Sequence, residues 1–187
     1  SSGSTELSRI LIKFPVSDIT TDRSNSAIPG SGSVNFYLRM FNARHAETLP
    51  RNLKLVVSAI ASGSWDEGHG MDMDEYTDET HNATGSNWIN YTSGTAWTSV
   101  GGDYYADASS SFTISFDKGN EDLELNITQL VEQWLSASTA ISPTDTANLG
   151  SKANYGVGVY VTSSQEAYFS ASTGTASGSV PHNAAGS

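Results

Sequence analysis

The chain contains no cysteine. Disulfides, thiol catalysis and thiolate-held zinc are thereby excluded, although the absence alone does not fix a compartment. Positive charge is scarce: 9 Lys+Arg stand against 20 Asp+Glu, for a net charge of −11. A surface of that sign repels phosphate backbones and anionic lipid, so no nucleic-acid partner and no membrane insertion are expected. It suits a soluble protein, a cation-binding one or one that works in salty water. No apolar run approaches the roughly 20 residues of a membrane span. The opening SSGSTELS is polar and unlike a charged-then-apolar leader, as in a mature chain, one secreted by another route, or a fragment. There is no GxSxG elbow and no glycine-rich phosphate cradle. His45, His69, His81 and His182 fall in no recognisable partner pattern. Paired carboxylates can hydrolyse glycosides, but a chain with 20 acids offers such pairs by chance. The expectation is a protein that is not an enzyme.

What is present is a chain of 187 residues, enough for one ordinary domain with a substantial core. Its most informative stretch is Glu121–Leu135, EDLELNITQLVEQWL. Leu123 and Leu125 alternate with polar neighbours, the period-2 mark of a strand with one buried face. From Ile127 the apolar residues fall at Leu130, Val131, Trp134 and Leu135, the stripe of an amphipathic helix. Asn126 can cap that helix, and Gln129 can complete a capping box. The pattern predicts one short helix over about 127–136, with Trp134 as its anchor.

Around it the chain reads as strands and turns. Strands are expected at Arg9–Phe14, Val34–Asn42, Leu53–Ile60, Ser111–Phe116, Leu123–Leu125, Tyr155–Thr162 and Gln165–Ser170. The turn Asp117–Asn120 predicts a hairpin between the two strands that flank it. Pro15–Gly32 reads as a loop. The expected fold is all-β: an antiparallel jelly-roll β-sandwich with one short α-helix. One domain spans 1–170, and 171–187 forms a flexible or extended tail of Gly, Ser, Thr and Ala.

Residues 62–102 stand apart, with little apolar periodicity and three of the four tryptophans. A connection of that length is more often functional than idle. Trp97, Tyr104, Tyr105 and Tyr91, together with Trp88, could stack on sugar rings. The glycine, serine and threonine around Trp97 and Tyr104 suit core and contact equally. An acidic run holds Asp66, Glu67, Asp72, Asp74, Glu75, Asp78 and Glu79. Asp72, Asp74 and Asp78 could hold a structural Ca2+ between the turns allowed by Gly68 and Gly70. His69 and His81 could instead join carboxylates around a transition metal. A plain solvated loop, with Glu67 bonded to backbone, is the reading preferred for the run, and no other cofactor is implied. The sequons at Asn82, Asn90 and Asn126 allow glycosylation, although Asn126 is better read as the helix cap.

Several of these segments together resemble the DNRLRE-type domains. They are Arg9-Ile-Leu-Ile-Lys-Phe14, Trp65-Asp66-Glu67-Gly68, Asn87-Trp88-Ile89-Asn90, Leu125-Asn126-Ile127-Thr128 running on to Trp134, and Asn154-Tyr155-Gly156-Val157. That family comprises β-sandwich jelly rolls of secreted bacterial proteins, with relatives that act as carbohydrate-binding modules. The resemblance implies that Trp65 and Trp88 plug the sandwich. It also implies one further strand where this chain has SVPHNAAGS, so either the chain is a fragment or a partner supplies that strand. The stretch WDEGHGMDMDEYTD is similar, in addition, to structural proteins of marine tailed bacteriophages. Two expectations follow. One is a virion structural protein that meets other virion proteins or copies of itself, and contacts host-surface polysaccharide. The other is a carbohydrate-binding module of a secreted protein. Both place the chain on a virion or outside the cell.

Overall fold

The structure, a computed structural model, describes residues 9–43, 52–67, 85–138 and 150–166. Its elements follow in chain order as β1 (Ile10–Ile12), α1 (Val16–Ser24), β2 (Tyr37–Met40), β3 (Leu53–Ala59), β4 (Asn90–Thr92), β5 (Thr95–Ala96), β6 (Ser111–Phe116), β7 (Leu123–Asn126), α2 (Thr128–Ser138) and β8 (Val157–Val161). The strands form antiparallel sheets, as the alternating patterns predict. The main sheet has the order β1-β8-β3-β6, and β2 pairs with β7 in a separate two-stranded ribbon. One face of each meets in a shared core. Leu38 from β2, Val57 and Ala59 from β3, Phe116 from β6, Leu123 from β7, and Val157 and Val159 from β8 are all buried there. Burying these apolar side chains is the main drive to fold.

Helix α2 closes the core with Leu130, Val131, Trp134 and Leu135. Its start is fixed as expected: the Asn126 Oδ1 accepts the Thr128 N–H at 3.0 Å. Ile127 donates its N–H to the Phe36 carbonyl at 2.9 Å, so the helix leaves directly from the β2–β7 ribbon.

Three expectations about elements are corrected. Residues expected to be loop form α1, whose apolar content is too thin to show as a stripe. Val16 and Ile19 reach the core, and Arg23 grips Glu132 of α2 with bonds of 2.9 and 2.6 Å. Asp18 in its first turn and Arg23 in its last also suit the helix dipole. The second correction concerns β6 and β7, which do not form a hairpin. Strand β6 pairs with β3 and β7 pairs with β2, so the turn between them carries the chain from one sheet to the other. That corner is held by the Glu121 carboxylate, which accepts the N–H groups of Asp117, Lys118, Gly119 and Asn120. These bonds stabilise the charged form and hold the Glu121 carboxyl below its usual value. The third correction is the strand expected at Gln165–Ser170. Its described part belongs to a single helical turn at 163–166, where Gln165 and Glu166 both donate to the Thr162 carbonyl.

Candidate functional site

The face of the main sheet that looks away from the core carries Lys54, Val56 and Ser58 of β3, Ser111, Thr113 and Ser115 of β6, and Gly158 and Tyr160 of β8. Part of the long connection after β3 folds back over this face. Tyr104 lies directly on Gly158, where a Cβ would stand 2.3 Å from its Cε1. Ser58 is consequently fully buried although it points outward, and its Oγ bonds Ser111 at 2.7 Å and Tyr160 at 3.1 Å.

Arg9 fastens the arrangement. Its guanidinium sits 4.8 Å from the ring centres of both Trp88 and Tyr160, and 5.7 Å from that of Tyr104. It also donates to both oxygens of Glu166, at 3.1 and 2.9 Å, and to the Gly101 carbonyl at 2.7 Å. A planar fork can bond a carboxylate twice and stack on rings at once, which an ammonium cannot. Burial pushes the Tyr104 hydroxyl up to about 12, and Arg9 offsets this only in part. Arg9→Lys is therefore expected to cost about 1–3 kcal/mol, the range for bonds to charged groups. A thermal melt followed by tryptophan fluorescence tests this, because Trp88 would leave the guanidinium face.

Further along, Asp103 accepts from the Ser62 hydroxyl at 2.6 Å and from the N–H groups of Thr98 and Ser99 at 2.9 and 2.7 Å. Burial raises its carboxyl, but these bonds outweigh burial and leave it below the usual value. Asp66 and Thr92 are bonded side chain to side chain. Asp107 accepts from Ser109 and Ser110 at 2.5 and 2.8 Å and pairs with the buried Lys152 at 3.3 Å. Lys152 also rests 4.8 Å from the Tyr105 ring centre. Burial again works against the Asp107 charge, yet these bonds bring its carboxyl down from 3.8 to about 2. A depressed carboxyl stabilises the fold above its ordinary value and ceases to do so as pH falls through the folded value. Stability is thus expected to fall between pH 3.8 and about 2, and Asp107→Asn should flatten that part of the curve. The effect is modest, because Asp107 is 45% exposed and its pair is screened. Melts across this pH range check it.

The residues expected to touch sugar take the following places. Trp97 is only 6% exposed, donates its Nε1–H to the Asn87 carbonyl at 3.0 Å, and lies 5.5 Å from the Tyr91 ring. Its faces are enclosed, and Tyr91 stands partly buried over Gly63. Tyr104 is held between Gly158, Arg9 and Tyr160, and Tyr105 packs on the core under Lys152. These four side chains belong to the packing of the excursion, and they do not form one open platform.

The residues given structural roles divide. Trp134 is 2% exposed and lies in the core, and Asn126 caps its helix. Trp65 and Trp88 do not plug the sandwich, and neither is part of the core cluster. Trp65 is half-buried and donates its Nε1–H to the Tyr155 carbonyl at 2.7 Å, while Trp88 stacks on Arg9. Glu67 is exposed, and no bond ties it to backbone among the described residues. Asp72, Asp74 and Asp78 lie outside the described residues, as do His69 and His81. Among the described residues no group of three or more His, Asp or Glu could hold a metal ion.

Among the described residues, one surface carries exposed aromatic side chains. The outer face of the β2–β7 ribbon presents Tyr37 at 48% exposure and Phe41 at 79%, on either side of the Arg39–Glu124 ion pair at 2.9 Å. Alternation along Val34–Asn42 already places Tyr37 and Arg39 on one face. It also places Phe41 there, and an aromatic on a polar face is the signal that reading the chain for tryptophan clusters passes over. Comparison with known protein families, with curated proteins and with solved structures finds no match to this chain.

Proposed function

We propose that the chain is a non-enzymatic structural protein of a bacteriophage particle, a decoration, fibre or tail-associated component built on a sandwich of jelly-roll winding. The observation that carries this is the uneven build of the two sheets. Among the described residues four strands face a ribbon of two, and the ribbon offers an aromatic outer face with Phe41 79% exposed. A surface of that kind suits a protein partner better than turnover of a small substrate. The ion pairs and carboxylate bonds around Arg9, Arg23, Asp103 and Asp107 join segments distant in sequence, and so serve rigidity. The particle itself is supported by the resemblance of WDEGHGMDMDEYTD to structural proteins of marine tailed bacteriophages. Mass spectrometry of purified particles tests the reading. The chain should co-purify at many copies per particle, and its absence from particles that package and infect normally would sink the proposal.

A second reading, a carbohydrate-binding module related to the DNRLRE-type domains, is favoured by the same exposed aromatics. Tyr37 and Phe41 flank an ion pair able to bond hydroxyls. Affinity electrophoresis through acidic and neutral polysaccharides, with and without chelator, tests it. Retardation by one polymer that Phe41→Ala abolishes would establish the module, and chelator sensitivity would add a metal.

A further inference from the structure

Among the described residues β2 is paired on one edge only, by β7. Phe36 accepts the Ile127 N–H, and Asn42 donates its N–H to Asp122, so both turn their backbone toward β7. Backbone direction alternates along a strand, so Leu38 and Met40 face β7 as well. The N–H and C=O groups of Tyr37, Arg39 and Phe41 therefore point away from β7. They have no hydrogen-bond partner among the described residues. Such an edge is a template for one more strand.

The pattern on this edge is its own complement. Tyr37 and Phe41 lie symmetrically about Arg39. We propose that two copies of the chain pair through β2, antiparallel, about a twofold axis at Arg39. Tyr37 of one protomer then faces the partner subunit's Phe41, and Phe41 faces the partner subunit's Tyr37. On the buried side Leu38 faces the partner subunit's Met40. Registers shifted by two residues lose both aromatic pairs and set Arg39 against Phe41 or Tyr37 instead. Cross-strand aromatic pairs are the kind of contact that stabilises and registers a sheet. The two arginines at the axis do not meet as bare charges. Each is already bound by Glu124 of its own β7 at 2.9 Å, so the row across the dimer reads Glu, Arg, Arg, Glu and is neutral. The outward residues of β7, Glu124 and Asn126, offer no such match, since pairing that edge would bring Glu124 toward its own copy with Arg39 one strand away. The union makes a continuous sheet β7-β2-β2-β7, and its four strands equal the four of the main sheet. The symmetry is the isologous kind that closes on itself. One strand on each side buries far less than the about 1,200 Å² of a stable complex, so the dimer is weak in solution and gains strength where many copies are held together.

The chain's lack of cysteine allows a clean test. In this register Arg39 is opposite itself in a hydrogen-bonded pair, where Cα atoms stand about 5.5 Å apart, within disulfide reach. Arg39→Cys should form a disulfide-linked dimer under mild oxidation, much faster than Thr113→Cys, which is exposed on β6. Tyr37→Cys alone should remain uncrosslinked, and Tyr37→Cys with Phe41→Cys should crosslink. Equal rates for Arg39→Cys and Thr113→Cys would overturn the pairing, and rapid linkage of Tyr37→Cys alone would overturn the register. The unmodified chain gives a reading free of folding effects: sedimentation equilibrium should show a dimer growing with concentration. A strict monomer up to about 1 mM, the range of the weakest specific complexes, would also overturn the pairing. Retardation by a polysaccharide that the unmodified chain loses on Phe41→Ala, with no dimer at any concentration, would give the face to sugar instead. Dimerisation is read in solution, so a chain absent from particles would remove the proposed function and leave this pairing standing.

Discussion

Gly156→Ala should lower the melting temperature by roughly 10 °C or more, from a loss of about 4 kcal/mol at about 2–4 °C per kcal/mol for a chain of this size. Two causes add. Gly156 has a φ of +87°, a left-handed conformation that costs a residue with a Cβ about 1–2 kcal/mol. The larger cause is space. A Cβ at 156 would stand 2.1 Å from the Ile12 carbonyl oxygen and 3.0 Å from the Lys13 Cα. These are backbone atoms, and no side chain can swing aside to relieve them. Either β8 starts elsewhere or β1 leaves the sheet. The neighbours resist both, because the Gly156 carbonyl accepts from Ile60 at 3.0 Å and Asn154 ties the Phe14 carbonyl at 2.7 Å. Gly94→Ala is the control. Gly94 also has a positive φ, of +73°, but nothing lies within 4 Å of its missing Cβ. It should cost only the conformational part, and the difference between the two urea midpoints isolates the clash. Equal midpoints would show that β1 yields without resistance.

Trp134→Ala should cost about 3–5 kcal/mol, the range for truncating a buried large aromatic. Trp134 is 2% exposed among Leu130, Val131 and Leu135 of its own helix and the inner faces of both sheets. Against the 5–15 kcal/mol by which domains are usually stable, that loss leaves the fold marginal or undone. Its Nε1–H is buried without a hydrogen-bond partner among the described residues. The side chain therefore acts through volume alone, and Trp134→Phe should cost only about 1–2 kcal/mol, since no bond is lost with the indole nitrogen. Urea denaturation of the two variants measures both numbers. A Trp134→Ala curve that overlays the unmodified one would mean that α2 does not close the core.

How legible the fold was depends on where each element takes its stability. Strand β6 and helix α2 carry their pattern in their own residues. Phe112, Ile114 and Phe116 alternate, and Ile127 through Leu135 repeat at helical spacing, so periodicity finds both. Helix α1 does not. VSDITTDRS has two apolar anchors and a surplus of residues that favour caps and turns, and it is held by the Arg23–Glu132 bridge to a helix far along the chain. A local pattern has no access to that partner. The turn after β6 was visible in Asp117–Asn120, but a turn states that the chain reverses and not which sheet it re-enters. Trp97 illustrates the same limit in the candidate site. Its glycine and threonine neighbours look solvated, and burial comes from Tyr91 and from the Asn87 carbonyl across the β4–β5 ribbon. Tyr37 and Phe41 were legible in principle, because an aromatic on the polar phase of an alternating strand is visible in the letters alone.

The clasp between Arg9 and Glu166 has a mechanical meaning. It brings together the residue just before β1 and a residue shortly after β8, strands that run side by side in opposite directions. A pull applied at those two points would load the clasp first, before any rung of the sheet felt tension. Once it gave way, the rungs from Ile10 to Ile12 would peel one at a time, at low force, because in this geometry they are strained in series and cannot share the load in parallel. Against a pull of this kind the first resistance therefore lies in a single arginine, and the pairing of β8 with β3 follows it.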